Sequence, residues 1–219
     1  MLRRMAEPRR SNRRGRRSRE EILDAATRVM AERGYTATSL STLSQATGLP
    51  KSAVYHHFHS KGGLLSAVMA RGAYDFFAAM REAHTGGPPP GTPGERLDWF
   101  LQRTGEVFLA RPDFLRLHLV LMMSPEGAEE EVGALIAQVR TDGRAYMHQM
   151  IETSFAGEGP EVARVVADRL DRFAIAGFDG AFVGLQAEPG RSLSAQMRLL
   201  AEAIAGLGEG VAAGVRASD

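Results

Sequence analysis

The chain has 219 residues, of which 44% are hydrophobic and 24% are charged, a balance that is ordinary for a globular protein. It contains no cysteine, which excludes disulfides and thiolate metal sites and fits a reducing cytosol. No apolar run approaches the roughly 20 residues that span a bilayer, and no apolar stretch follows the basic N-terminus. We therefore expect a cytoplasmic protein with no membrane partner and no secretory signal.

The net charge of +1 hides an asymmetry between the two ends of the chain. Residues 1–61 carry 13 Lys and Arg against 5 Asp and Glu, whereas the remaining residues carry 14 against 21. Nine arginines lie between Arg3 and Arg19 without apolar periodicity, so residues 1–17 are predicted to form a disordered arm. Such an arm either contacts DNA or is only a solvated tail. A basic N-terminal part on an acidic body favours a polyanionic partner.

A first amphipathic helix is predicted from an N-cap at Ser18 to a stop at Gly34. Acidic side chains in its first turns suit a helix N-terminus. Its apolar positions recur at helical spacing and predict one buried face, formed by Ile22, Leu23, Ala26, Val29 and Met30.

Two short helices follow and are joined by a turn that contains glycine. The first begins after Ser39, whose hydroxyl suits an N-cap, and ends at Gly48. The second covers residues 51–58, with Val54 and Phe58 one helical turn apart as anchors to the core. The remaining side chains of this second helix are polar or small and face outward. This arrangement predicts a helix-turn-helix.

The run from Glu20 to Leu65 resembles the DNA-binding domain of the TetR (tetracycline-repressor-like) family. It departs from the family pattern at Pro50 and at Gly62-Gly63, and the two glycines predict a looser start of the fourth helix. The features that carry the resemblance are Ala25-Ala26, Gly34-Tyr35, Thr38-Ser39, Gly48-Leu49, the run from Tyr55 to Phe58, and Ser60-Lys61.

The resemblance implies that this domain binds double-stranded DNA. The start of the recognition helix, Lys51 to Ala53, is expected deepest in the major groove, and Ser39 and Lys61 are expected on phosphates. A metal site at His56, His57 and His59 is disfavoured, because no acidic or thiolate ligand completes it. The predicted DNA contacts are Ser39, Ser41, Lys51, Ser52, Ala53, Tyr55, His56, His57 and Lys61.

The rest of the chain is predicted to be helical, with breaks at its Pro- and Gly-rich segments. The prediction is an all-α fold of about nine helices, in which a DNA-binding domain at 18–64 precedes a larger effector-binding and dimerisation domain at 65–219. After a fourth helix that Ser60 caps and that runs to about His84, helices are predicted at 95–110, 112–123, 126–155, 160–187 and from about Ser192 to Leu207.

The body is expected to bind a small, largely apolar effector, because methionine and aromatic side chains line adaptable pockets. The same side chains also fill ordinary cores, so core packing stays open for each of them. His118 lies in an otherwise apolar helix, where either a ligand or a backbone carbonyl is its partner. The candidate pocket residues are Trp99, Phe114, His118, Met122, Tyr146, Met150 and Phe178.

The last two helices are expected to form a homodimer interface, as the family resemblance implies. Apolar residues of the final helix follow a spacing of 4, 3, 4, 3 from Leu193 to Leu207, which is typical of a helix seam. Three glycines on one face of the preceding helix indicate the close approach of another helix. Packing within one chain is the alternative. The predicted interface residues are Gly177, Gly180, Gly184, Leu193, Met197, Leu200 and Ile204.

These features indicate a transcriptional repressor that binds a palindromic operator and is released from it when it binds an effector. The alternatives are an effector-independent regulator or an activator of the same fold, and an enzyme fused to a DNA-binding module. Catalysis has little support, because there is no Walker loop and because no strand precedes the glycines at 206, 208 and 210. We expect no catalytic residue, metal or cofactor.

Overall fold

The computed structural model describes residues 9–128, 130–188 and 190–217. The all-α prediction is confirmed, since these residues form helices and turns and no strand. No helix in this part of the chain is long and apolar enough to cross a membrane. The helices are α1 (Arg9–Arg33), α2 (Leu40–Thr47), α3 (Lys51–Phe58), α4 (Lys61–Ala83), α5 (Pro93–Ala110), α6 (Pro112–Met122), α7 (Glu130–Ser154), α8 (Pro160–Ala187) and α9 (Leu193–Arg216).

Helix α1 begins at Arg9, nine residues before the predicted cap at Ser18. The segment from Arg9 to Arg17 is therefore helical where we predicted disorder, and residues 1–8 lie outside the described part. Arginine is a good helix former, and the Nε of Arg17 donates to Glu21 Oε1 at 2.9 Å across one turn.

Helix α9 continues to Arg216, well past the predicted end near Leu207. The glycines that indicated an end lie inside the helix. Gly208 is buried, and a Cβ built on it would overlap the ring of Phe155. This glycine therefore permits close packing and does not terminate the helix.

The described residues of Met1–Asp75 and Arg111–Ile136 form one compact unit. Its core lies between α1, α2, α3 and the first part of α4. Helix α6 belongs to the same unit and packs on α1, and the ring of Phe114 lies so close to Gly72 that a Cβ there would overlap it. Fully buried side chains of this unit include Ile22, Leu23, Met30, Leu43, Leu64, Leu65, Met69 and Leu117.

The second compact unit comprises Phe76–Ala110 and the described residues of Ala137–Asp219. Helix α9 packs against both α5 and α8. The ring of Phe108 is central, with its centroid 4.1 Å from that of Phe178 and 5.3 Å from that of Phe182. Within α7 and α8, the Nε of Arg144 donates to the buried Asp171 at 2.7 Å.

The junction between α3 and α4 is tight. His59 takes a positive φ of 60° at the end of α3, and the backbone N–H of Ser60 donates to the Phe58 carbonyl at 2.6 Å. The Ser60 hydroxyl accepts from the Gly63 N–H at 2.9 Å, which confirms Ser60 as the cap of α4. A Cβ on Gly63 would overlap the Phe58 carbonyl oxygen. Gly63 therefore permits this close contact, and the prediction of a looser start for α4 is wrong.

Candidate functional site

Helix α2 begins with a satisfied N-cap. The Ser39 hydroxyl accepts from the Thr42 N–H at 3.1 Å and lies 2.9 Å from the Thr42 hydroxyl. One residue earlier, the buried Thr38 hydroxyl donates to the Gly34 carbonyl at 2.9 Å. A Ser or Thr cap of this kind typically contributes about 1 kcal/mol to stability. The start of α2 is therefore fixed before any DNA binds.

The turn between α2 and α3 is held by side chains from α2. Gly48 takes a φ of 68°, a left-handed conformation that favours glycine. The Ser44 hydroxyl donates to the Leu49 carbonyl at 2.7 Å, and the Thr47 hydroxyl accepts from the Leu49 N–H at 3.2 Å. Sequence reasoning missed Ser44 and Thr47, although short hydroxyl side chains beside a turn glycine are a recognised signal.

Helix α3 presents a polar surface on buried anchors. Val54 is 0% exposed and Phe58 is 5% exposed, as predicted from their spacing. Tyr55 is 62% exposed, which leaves a large aromatic ring and a phenol at the protein surface. The other predicted contacts of this helix lie on the same outer side, with Lys51, Ser52 and His56 exposed and Ala53 and His57 half-buried.

The two serines predicted to contact DNA at the start of α2, Ser39 and Ser41, are both exposed. Lys61 is half-buried, and its Nζ donates to the Thr36 carbonyl at 3.0 Å and lies 4.3 Å from the centre of the Tyr35 ring. Lys61 thus holds the loop before α2 against the start of α4. Because an ammonium group has three donors, Lys61 can hold this carbonyl and also donate to a phosphate. The phosphate contact stays a prediction.

The electrostatic surroundings of α3 are basic. Burial lowers the pKa of His57, and the neighbouring His56 and Arg19 lower it further. The Arg19 guanidinium lies 5.2 Å from the centre of the Phe58 ring, so α1 adds positive charge beside the end of α3. A neutral imidazole at this place offers one donor and one acceptor to a polar surface.

A family model described as "Bacterial regulatory proteins, tetR family" matches residues 22–68. This span runs from within α1 into α4 and includes the whole helix-turn-helix. The segment from α1 to the start of α4 thus matches the DNA-binding domain of the TetR family. The resemblance predicted from the sequence is therefore confirmed.

Curated helix-turn-helix transcriptional repressors match part of the chain. The repressor KstR2 of Rhodococcus jostii (strain RHA1) is 36% identical over 64 residues, which cover 29% of this chain and 31% of that protein. The repressor AcnR of Corynebacterium glutamicum is 43% identical over 51 residues, covering 23% and 27% respectively. The chain thus spans about a third of the length of these curated relatives.

Solved structures match the TetR-family fold over most of the chain. A putative transcriptional regulator from Pseudomonas aeruginosa PAO1 has a TM-score of 0.73 at 19% identity and is covered, like this chain, over 95% of its length. A putative regulator from Saccharomonospora viridis in complex with choline has a TM-score of 0.66 at 22% identity, covering 85% of this chain and 94% of that one. At these identities the likeness concerns the fold alone.

Most of the predicted α9 seam lies inside the protomer. Met197 and Ile204 are 0% exposed, and a Cβ on Gly105 of α5 would lie 3.2 Å from Met197 Cγ. A Cβ on Gly177 would lie 2.6 Å from Leu200 Cδ1, so α8 and α9 approach closely within one chain. These positions therefore pack within one chain, and their place in a dimer interface stays a prediction, which applies to Gly177, Leu193, Met197, Leu200 and Ile204.

Helices α8 and α9 also carry exposed apolar residues. Gly180 is exposed, and a Cβ built on it would meet nothing within 4 Å, whereas one on Gly184 would meet the Arg191 side chain. Phe173 and Val183 of α8 are 45% and 48% exposed, and they share the helix face of Gly180. The outer side of α9 adds two exposed leucines, Leu199 and Leu207. We call this set the α8–α9 outer face; sequence reasoning identified Gly180 and Leu207 of it.

A cavity of about 280 Å³ lies in the second unit. Tyr146 and Met150 were predicted as pocket residues and do line it. Trp99 instead stacks beside the Arg103 guanidinium at 4.0 Å, and Phe178 packs in the core against Phe108. Sequence reasoning missed the other lining residues, which are Arg81, His84, Gly87, Phe100, Gln149 and Thr153.

The remaining predicted pocket residues belong to the first unit. Phe114 and His118 are buried there and stack on each other with ring centroids 6.2 Å apart, and Met122 is half-buried at the end of α6. Their role in ligand binding stays a prediction. Among the described residues there is no group of three or more His, Asp or Glu side chains placed to hold a metal ion.

His84 predicts a pH dependence of stability. Burial lowers its pKa from 6.5, and the nearby Arg103 adds to this, although the Phe100 carbonyl opposes it. Above pH 6.5 the histidine is neutral in both states; as the pH falls from there to the lowered pKa, the unfolded chain takes up the proton first and stability is lost. We expect His84→Gln to flatten this loss in chemical denaturation between pH 7 and about pH 5.5. A variant as steep as wild type would assign the loss to other groups.

Proposed function

We propose that this chain is a homodimeric transcriptional repressor of the TetR family that binds a palindromic operator and leaves it when a small molecule occupies its helical body. The observation that carries the proposal is the outer surface of α3. Two buried anchors, Val54 and Phe58, hold this helix so that Lys51, Tyr55 and His56 project outward. Such a helix fits a major groove, whose base edges offer donors and acceptors to those side chains.

Phosphate contacts are assigned to the surroundings of α3. Ser39 and Ser41 lie at the N-terminus of α2, where a hydroxyl and backbone N–H groups face an anion. Lys61 and Arg19 supply positive charge nearby. We therefore assign base readout to Lys51, Ser52 and Ala53, and we assign backbone or mixed contacts to Tyr55, His56 and His57.

The homodimer is proposed on the α8–α9 outer face. Phe173, Val183, Leu199 and Leu207 are each more than two-fifths exposed, which leaves unburied apolar surface on adjacent helices. Gly180 leaves room beside them for a second helix. A palindrome has two half-sites, so a dimer is the simplest protein arrangement that reads both.

The effector is proposed because the body contains a cavity and because relatives of this fold are named for such roles. The regulator from Saccharomonospora viridis is described as a complex with choline, and another neighbour is a fatty acid degradation regulator, FadR, from Bacillus halodurans. We propose no catalytic activity for this chain, and we place its action in the cytoplasm, where chromosomal DNA lies.

Activation is the second candidate. The activator FasR of Mycolicibacterium smegmatis is 35% identical over 77 residues, covering 33% of this chain and 35% of that protein. A reporter gene placed behind the selected operator distinguishes the two, because a repressor lowers its expression and an activator raises it.

Salt dependence tests the proposed DNA contacts. In a selection from genomic fragments at low salt, we expect the wild type to enrich one palindrome. Its affinity should fall on a log–log plot against salt with a slope of about 0.9 per phosphate neutralised. Deleting residues 1–17 should reduce this slope and keep the sequence preference, because arginines on phosphates carry no base information. Failure to enrich any duplex would refute DNA binding.

A further inference from the structure

The cavity of the second unit lies between the end of α4, the following loop, α5 and α7. Its volume of about 280 Å³ is near the lower end of the range for small-molecule sites, roughly 300–1,000 Å³. This volume suits a compact molecule, such as one substituted ring. Size is the first constraint on the ligand.

His84 supplies the second constraint. Its Nε2 lies 3.1 Å from the Phe100 carbonyl oxygen, and a carbonyl only accepts, so Nε2 carries a hydrogen and donates. The Thr104 hydroxyl, 3.2 Å from Nε2, donates to the same carbonyl at 2.9 Å and does not require a different tautomer. Nδ1 is then a lone-pair acceptor when the ring is neutral. It is buried and has no hydrogen-bond partner among the described residues.

Aromatic surfaces supply the third constraint. The ring of Tyr146 lies 6.1 Å from that of His84, and the ring of His84 lies 5.0 Å from that of Phe100. Behind them, Phe77 stacks on Tyr146 at 5.9 Å and fixes its plane. A flat ring gains contact with such surfaces beyond its buried area, by about 0.5–1.5 kcal/mol per aromatic pair.

Arg81 supplies the fourth constraint. It is exposed, and it is the one lining residue among those described that carries a full charge at neutral pH. Arg81 and Tyr146 both line the cavity, and the positive charge of Arg81 opposes the rise that burial causes in the pKa of Tyr146. A carboxylate would therefore find a forked partner at this side of the cavity.

We propose that this cavity binds a small aromatic acid, with a hydroxyl group that donates to His84 Nδ1 and a carboxylate that pairs with Arg81. Hydroxybenzoates are the simplest members of this class. The role of this acid as an effector rests on the proposed function, whereas its binding to the cavity does not. Binding itself requires no DNA.

Calorimetry on the full-length chain without DNA tests this. The probes are 3- and 4-hydroxybenzoate, the matching methoxybenzoates, and phenol. We expect at least one hydroxybenzoate to bind at least tenfold more tightly than its methoxy counterpart. Methylation removes the donor and leaves Nδ1 buried and unsatisfied, and sites that hydrogen-bond a hydroxyl reject such analogues strongly. Phenol should bind more weakly than the hydroxybenzoate because it lacks the carboxylate.

Two variants assign the contacts. His84→Phe should bring the hydroxy and methoxy compounds within about threefold of each other. Arg81→Gln should weaken hydroxybenzoate at least tenfold and leave phenol unchanged, and since Arg81 is exposed this variant keeps its fold. Arg164→Gln is the matched control, because Arg164 pairs with Asp168 on α8 and does not line the cavity. It should bind every probe as the wild type does.

Equal binding of hydroxy and methoxy compounds overturns the proposal, as does a lack of binding of either hydroxybenzoate at millimolar concentration. The proposed function fails separately. If the chain binds hydroxybenzoate and its affinity for the operator does not change, the effector role is refuted and the proposed cavity contacts remain. A chain that binds no DNA but discriminates the probes refutes only the regulator proposal.

Discussion

We expect Gly180→Leu to produce monomers that keep their helical circular dichroism and lose most of their affinity for a palindromic operator. A Cβ built on Gly180 meets nothing within 4 Å and the residue is exposed, so we expect the protomer to tolerate a larger side chain there. In the proposed dimer it forces apart the two α8–α9 outer faces. Two tethered recognition helices bind roughly 10² to 10⁴ times more tightly than one, and this factor should be lost. Analytical ultracentrifugation and operator titration measure the two effects.

Gly157→Leu is the matched control for this experiment. Gly157 is another glycine beside which a Cβ meets nothing within 4 Å. It precedes α8, about 30 Å along the helix from Gly180 at 1.5 Å per residue. This variant should remain dimeric and bind the operator normally. A wild-type dimer in Gly180→Leu would move the interface to another surface.

Lys51→Ala should cost roughly 1–3 kcal/mol of specific DNA affinity, about 5- to 150-fold, if Lys51 reads a guanine. The side chain is exposed at the first position of α3, so its removal leaves the fold intact. Preference should relax at one position in each half-site, while the affinity for unrelated DNA changes little. Competition binding against operators with single base-pair changes measures both quantities.

Lys61→Ala is the comparison, because the resemblance places Lys61 on a phosphate. It should weaken binding to all sequences alike. It also removes the hydrogen bond to the Thr36 carbonyl and the contact with the Tyr35 ring, so a melting curve must accompany the titration. If both lysine variants showed the same loss on every sequence, Lys51 would be a phosphate contact and its readout role would be wrong.

The helix-turn-helix was predictable because the signals for it are local. A hydroxyl cap at Ser39, a left-handed glycine at Gly48 and two anchors four residues apart on α3 each determine a few neighbouring residues. The bounds of α3 were predicted without error for the same reason. The hydroxyls of Ser44 and Thr47 were overlooked, although the physical rule that identifies them is equally local.

In the body, periodicity predicted the helices but did not distinguish which partner each face meets. The 4, 3, 4, 3 spacing of α9 predicts a seam, and the seam exists. However, it joins α9 to α5 and α8 of the same chain, because helix pairs within and between chains pack by the same rules. Gly177 and Gly180 look alike in the sequence, yet only the first is filled by a neighbour, Leu200.

The cavity was the least predictable part. Its lining comes from α4, a loop, α5 and α7, whose side chains meet only after folding. The predicted pocket residues were mostly large apolar side chains, and neither His84 nor Arg81 was among them. The Phe100 carbonyl that pairs with His84 Nε2 is 16 residues away in the sequence. Only the folded structure therefore shows that Nδ1 is the nitrogen left to accept a hydrogen bond.

Gly63 allows the start of α4 to pack directly on the end of α3. Because a hydrogen atom stands where any other residue has a methyl group or more, the backbone of α4 meets the last carbonyl of α3 with no intervening side chain. This contact leaves no space between the end of α3 and the start of α4. We therefore expect a rotation of α4 at its first turn to move α3 with it, and we expect Gly63→Ala to push the two helices apart here, because its methyl group would overlap the Phe58 carbonyl oxygen.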